Sequence, residues 1–283
     1  MNEKVNVFCL FLLCISAAFF SCAPTASDPE INVKTDSVIV YDYRPVMGQF
    51  VNVLPQYEEG DDQRAMNLKA QQSLRQGSVI TLGGFGGYVT LGLGKQIDNT
   101  PDQRDFRVLG NAFASATNSS VGNSEPGVVW VSRDDNGNGI PDDTWYELAG
   151  SEYYKEETQH GYTKTWHRSD TTMRNSFHRQ PYFPMWIADS VMCVTGTLLA
   201  SHKVIEEGTI AQQILDYGYA DNHPNIDTIG TAFDLDWAVD SDGSPHPLDK
   251  CHFVRIVTAV DEVYPMIGEL STEVAGLEII ENK

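Results

Sequence analysis

The stretch from Glu125 to Tyr154, EPGVVWVSRDDNGNGIPDDTWYELAGSEYY, constrains the fold of this chain more than any other. Val128 to Val131 is a β-branched run that reads as a strand, and Trp145, Tyr146 and Leu148 read as a second. Between them the chain is almost wholly Asp, Asn and Gly, residues that favour tight turns over helix or sheet. Pro141 stands where a helix would have to begin, so two strands joined by a polar curl are expected rather than helix–loop–helix. Further short apolar runs separated by Gly and polar turns extend that pattern along the chain. The expected architecture is mainly β: an antiparallel β-sandwich or jelly-roll-like domain with one short helix.

The polar curl has the spacing of a cation loop. Asp134, Asn136 and Asn138 occupy alternate positions, Gly139 follows, the carbonyl of Ile140 comes next, and Asp142 is two residues further on. An EF-hand loop places its ligands in the same order, because alternate residues of a curled backbone point inward. Trp145 occupies the position of the bidentate Glu, so closure is expected from Asp142 with Asp143, or from a more distant carboxylate such as Glu147. The expected ligands are therefore Asp134, Asn136, Asn138, Ile140, Asp142 and Asp143. An all-protein cage of oxygens suits Ca2+ better than Mg2+. The alternative is an ion-free Asn/Gly turn, against which stands the mutual repulsion of three carboxylates with no Lys among them.

Residues 1–21 read as a targeting segment. Lys4 precedes the apolar run VFCLFLLCISAAFF, too short for an ordinary membrane span. The run closes at Phe20-Ser21-Cys22 and resembles a bacterial lipoprotein signal, with Phe19 in place of the usual Leu, a departure tolerated in Bacteroides-like lipoproteins. That resemblance implies cleavage before Cys22 and lipid on Cys22; ordinary secretion is the alternative. Residues 22–36 read as a flexible tether and 37–283 as a single domain. Across the 283 residues, 19 Lys and Arg face 39 Asp and Glu, a net charge of −20. Such a balance argues against nucleic acid and against lying flat on an anionic membrane, and it favours cations as partners. Beyond the signal and Cys22 only Cys193 and Cys251 remain, and they read equally as one disulfide or as two buried thiols. No Cys/His spacing suits zinc.

In the body of the chain, Met66, Ala70 and Leu74 recur at helical spacing within a helix expected over residues 61–76, capped by Asp61 or Asp62 and ended by Gly77. Its many Gln residues read as a solvated face. The Gly-rich run SVITLGGFGGYVTLGLG lacks the following helix that a phosphate loop needs, so it reads as a strand pair with a hairpin turn and strand crossing. Thr231 to Val239 alternates as a strand. Asp234, Asp236, Asp240 and Asp242 suit a hairpin turn better than a second cation site. An aromatic and locally basic insert occupies about 151–187. There Trp166, Tyr182, Phe183 and Trp186, with His178 and Arg179, suit a binding loop in which rings stack on a ligand and polar groups orient it; the alternative is core or lid packing.

Several phrases together resemble one family: GGYVTLG, DFRVLGNAF, EPGVVWVSRDDNGNGIPDDTWYELAGSEY, HRQPYFPMWI, FDLDWAVDSDG and GELSTEVAG. They are similar to a set of cell-surface lipoproteins of Bacteroides-like bacteria associated with vitamin B12 uptake, over about residues 40–280. The resemblance implies a lipid-anchored, surface-exposed outer-membrane protein that binds a corrinoid beside a TonB-dependent transporter. A glycan-binding surface module is the alternative. A carbohydrate-active hydrolase is disfavoured by the absence of G-x-S-x-G and H-E-x-x-H motifs. No catalytic residue is expected, and the calcium would be structural, fixing the loop that carries Trp145 and Tyr146.

Overall fold

A computed structural model describes residues 37–170, 181–206, 208–264 and 267–281. They fall within one compact unit, Val33–Lys283. The signal segment, the tether, Cys22, His178 and Arg179 lie outside the described residues.

The fold is mainly antiparallel β, as the alternation and turn chemistry predict. The first half comprises β1 (Ile39–Arg44), α1 (Gln63–Arg75), β2 (Ile80–Thr81), β3 (Tyr88–Gly92), β4 (Ile97–Asp98), β5 (Phe106–Leu109), β6 (Phe113–Ala114), β7 (Val121–Asn123), β8 (Gly127–Ser132) and β9 (Trp145–Leu148). A long hairpin follows, β10 (Gln159–His167) with β11 (Val191–Leu198), then β12 (Lys203–Glu206), β13 (Thr209–Gln213), β14 (Ala232–Phe233) and β15 (Ala238–Val239). The chain ends through β16 (Lys250–Cys251), β17 (Phe253–Thr258), β18 (Val263–Tyr264), β19 (Gly268–Glu269), β20 (Glu273–Val274) and β21 (Gly276–Ile279).

A six-stranded sheet in the order β1-β3-β17-β8-β9-β15 is the frame. Its central strands put Val89, Leu91, Val129, Val131, Val254 and Ile256 on one face, as period-two alternation requires. That face shares a core with Phe106, Val108, Phe233 and Leu277 of the three-stranded sheet β14-β5-β21, which makes the two layers a sandwich. Met66, Ala70 and Leu74 of α1 close the same core. On the opposite face Val128, Trp130 and Val257 meet a second cluster with Leu199, Leu215 and Tyr219. The hairpin of β10 and β11 packs through Trp166, Tyr162 and Val194 against Val46, Met47 and Phe85.

Asp62 caps α1 by accepting from the amide of Ala65 at 2.9 Å, and Gly77 leaves it at φ +72°. The polar residues of α1 are not all solvated. Gln63, Asn67 and Gln71, one turn apart, bond to the backbone of β1. Gln71 Oε1 accepts from Val40 N at 3.1 Å and Asn67 Oδ1 from Tyr43 N at 3.0 Å, while Asn67 Nδ2 donates to Tyr41 O and Gln63 Nε2 to Tyr43 O. Strand β1 is an edge of the large sheet, and this side-chain ladder supplies the partners that a missing neighbour strand would have supplied.

Two further expectations change. The Gly-rich run is a crossing rather than a hairpin: β2 pairs with β20, whereas β3 pairs with β1 and β17. At Gly87 a Cβ would stand 1.8 Å from the carbonyl oxygen of Leu82, so the crossing tolerates no side chain there. Thr231 to Val239 is not one strand. Asp234 accepts from Asp236 N and starts a 3-10 turn, Leu235–Trp237, which separates β14 from β15. Cys193, exposed, and Cys251, buried, are both free thiols.

Candidate functional site: an oxygen-lined loop and a buried carboxylate cluster

The loop from Asp134 to Asp143 joins β8 to β9, which are neighbours in the large sheet, with Trp145 paired to Ser132 at its base. Backbone amides of the same loop hold most of its side-chain oxygens. Asp134 Oδ1 accepts from Asn138 N at 3.0 Å and Oδ2 from Gly139 N at 2.9 Å. Asn136 Oδ1 accepts from Asn138 N at 2.9 Å, and Asn138 Oδ1 from Ile140 N at 2.7 Å. Asp143 Oδ2 accepts from Asp135 N at 3.1 Å, which draws the end of the loop onto its start. Asp142 approaches the amide groups of both Asn136, at 3.2 Å, and Asn138, at 3.1 Å. The carbonyl of Ile140 accepts from Asp142 N. Gly137 at φ +71° and Gly139 at φ +73° supply the left-handed steps of the curl, and open space around both makes the requirement conformational.

The six expected ligand residues share one short run of carboxylate, amide and carbonyl oxygens, but among the described residues only Glu125, Asp221 and Glu273 bring three acids within 4.8 Å of one another. The nearest arginine does not neutralise the run. Arg133 pairs with Asp135 and Asp249, each at 3.0 Å, neither of them among the six. Glu147 is not a closing ligand: it faces Trp130 in the sheet and accepts from the Thr197 hydroxyl at 2.7 Å.

A second group of acids had no counterpart in the sequence reading. Glu125, Asp221 and Glu273 are buried, and one oxygen from each lies within 4.8 Å of the others. Glu125 precedes β8, Asp221 follows the bridge between Gly127 and Ala220, and Glu273 opens β20, so three distant segments meet. Asp221 takes amides from Asn111 at 2.8 Å, Ala112 at 2.9 Å and Glu273 at 2.9 Å. Glu273 accepts from Thr81 Oγ1 at 2.9 Å, and Glu125 from Ser271 N at 3.2 Å. Burial, then the charge of Asp221, pushes Glu125 up to about 8. Burial, then the charge of Glu273 on Asp221 and of Glu125 on Glu273, holds both well above the usual carboxylate range. The triad could hold a metal ion, and bound protons answer the same excess of negative charge. Glu269 is buried nearby, raised by burial to about 7, with Oε1 taking Gln49 N at 2.6 Å and Oε2 without a hydrogen-bond partner among the described residues.

The ring residues expected to bind a ligand are packed where they are described, whereas Tyr154 of the same insert is exposed. Trp166 is 1% exposed, and its Nε1 donates to Phe85 O at 3.0 Å. Tyr182 and Phe183 are buried, and Asn52 Nδ2 donates to the carbonyl of Phe183 at 3.0 Å. Trp186 is half-buried between Tyr43 and Tyr57, stacked on both, and donates to Gln63 at 3.1 Å. These rings are engaged as packing. The acids expected in a hairpin turn are satisfied locally, Asp240 by His246 and Asp242 by Ser244 N. Among the described residues no helix is long and apolar enough to cross a membrane.

Fold and site together define a mainly antiparallel β protein with an oxygen-lined surface loop and a buried set of carboxylates. No family model matches the chain, and no curated protein matches it.

Proposed function

We propose that this chain is a calcium-stabilised recognition protein, anchored through lipid on Cys22 at the face of an outer membrane, that captures a corrinoid and passes it to a TonB-dependent transporter. The observation that carries the calcium part is the cation-loop spacing of Asp134, Asn136, Asn138, Ile140, Asp142 and Asp143 on a loop tied together by its own hydrogen bonds. Bound calcium would neutralise three carboxylates and pin the connection between β8 and β9, and with it the position of Trp145. Corrinoid specificity is supported by the sequence resemblance, and the recognition surface lies elsewhere than on Trp166, Tyr182 and Phe183, whose rings are buried.

Titration calorimetry on the mature protein tests both parts. Calcium is expected to bind saturably and, at about a hundred times its Kd, to stabilise the fold by about 2.7 kcal/mol. Asp134→Asn with Asp142→Asn should weaken calcium by about tenfold or more, because two of the charges that select it are gone. Cyanocobalamin should give a saturable heat and a shift in its visible absorbance. Silence toward cyanocobalamin at micromolar protein, with retardation on a polysaccharide affinity gel, would make the chain a glycan-binding module instead. A calcium titration with neither heat nor stabilisation removes the cation part.

A further inference from the structure

The outer face of the six-stranded sheet carries one straight row of paired residues: Asp42 on β1, Thr90 on β3, Arg255 on β17, Trp130 on β8 and Glu147 on β9. Arg255 sits at its centre, half-buried. Its Nε donates to Thr90 Oγ1 at 2.9 Å. Its guanidinium carbon lies 4.1 Å from the ring centre of Trp145 and 4.8 Å from that of Tyr88. Two aromatic rings and one hydroxyl thus fix the plane of the group and leave the two terminal nitrogens, with four N–H bonds, free of any acceptor among the described residues.

That is unusual within this protein. Arg104, Arg133 and Arg168, half-buried like it, and the buried Arg107 each send a terminal nitrogen to a carboxylate or a carbonyl, and the half-buried Arg44 reaches the Asp42 carboxylate through Nε. Arg255 does not, although acids outnumber bases by 39 to 19 along the chain. The neighbouring acid, Asp42, is already occupied by Arg44 Nε at 2.9 Å and by the Tyr88 hydroxyl at 2.7 Å. Glu147, at the far end of the row, is engaged by Thr197 and held by burial at about 7. A guanidinium partly removed from water, held flat, and touched by Asp42 only through space keeps two terminal nitrogens that a two-oxygen anion can take bidentately.

We propose that Arg255 is the anion-reading residue of a ligand site on this sheet face, and that the ligand taken there carries a carboxylate or phosphate group. Thr90, Tyr88 and Trp145 are positioning residues that hold the guanidinium. The site owes nothing to the buried aromatic insert, and a test with probes that contain no corrin ring keeps it independent of the corrinoid reading.

Calorimetric titration with glucose, glucuronate and glucose 6-phosphate compares three probes that share a ring and differ in the anion. Wild-type protein is expected to bind one or both anionic probes at least about tenfold more tightly than glucose, and the one preferred identifies the oxyanion. Arg255→Met should abolish that preference, and Arg255→Lys, which keeps the charge and loses the fork, should weaken it by about threefold or more. A merely structural arginine would lower the melting temperature in both variants and leave the preference unchanged. Equal binding of all three probes, binding of none, or an unaltered preference in either folded variant overturns the proposal.

Discussion

The most informative single residues here are carboxylates out of water. Burial raises Glu147 to about 7, although the hydrogen bond from Thr197 favours the charged form. An ordinary glutamate titrates near ~4.3, so the folded protein holds this proton more tightly than the unfolded chain does. The stability this confers is complete below ~4.3 and is lost as the pH climbs to about 7. Glu147→Gln keeps an acceptor for Thr197 and removes the titration. Urea unfolding over a pH series should show the variant gaining on wild type by up to about 1.4 kcal/mol per pH unit between ~4.5 and 7, then levelling off. Parallel stability curves would mean that Glu147 titrates as it does in water. Nothing in the local sequence WYELAG marks Glu147 as buried; strand alternation puts it on the face opposite the main core, and its partners Trp130 and Thr197 come from elsewhere in the chain.

At the scale of elements, α1 and the loop between β8 and β9 were legible for opposite reasons. The apolar stripe of Met66, Ala70 and Leu74 reports one buried face through periodicity, and the loop reports itself through side-chain oxygens at alternate positions. The ladder of Gln63, Asn67 and Gln71 was equally periodic, yet its meaning depends on an edge strand distant in sequence. Asn67→Leu with Gln71→Leu leaves the amides of Val40 and Tyr43 without partners and should cost about 2–5 kcal/mol, read as a lower denaturant midpoint. The change should also promote self-association through the bared edge of β1, visible by light scattering. Gln72→Leu and Gln76→Leu, on the exposed side of the same helix, are the control and should cost little.

For the whole molecule, charge is the dominant long-range term. A net −20 repels itself when the chain is compact, so in the presence of a chelator the melting temperature should rise as sodium chloride is raised from ~20 to ~200 mM, where the Debye length shortens to less than ~10 Å. A fall instead would show that ion pairs such as Arg107–Glu278 and Arg104–Asp234 outweigh the repulsion. Divalent cations at equal ionic strength should stabilise more than sodium if the loop or the carboxylate cluster takes them up.

By itself the sequence determined what local chemistry can specify. It set the antiparallel β class, the position and register of α1, and the strand–loop–strand around Asp134 to Asp143, because all of these depend on residues within one or two turns of each other. Tertiary structure alone decided which acids meet. Glu125, Asp221 and Glu273 lie in three separate phrases, two of them singled out for other reasons, and become a cluster only when β20 and the bridge at Ala220 converge on the start of β8. It also decided that Trp166, Tyr182 and Phe183 are buried and that Arg255 is held between the rings of Tyr88 and Trp145. Which side of a sheet is covered is a matter of what packs on it, and that cover comes from parts of the chain whose distance in sequence carries no signal.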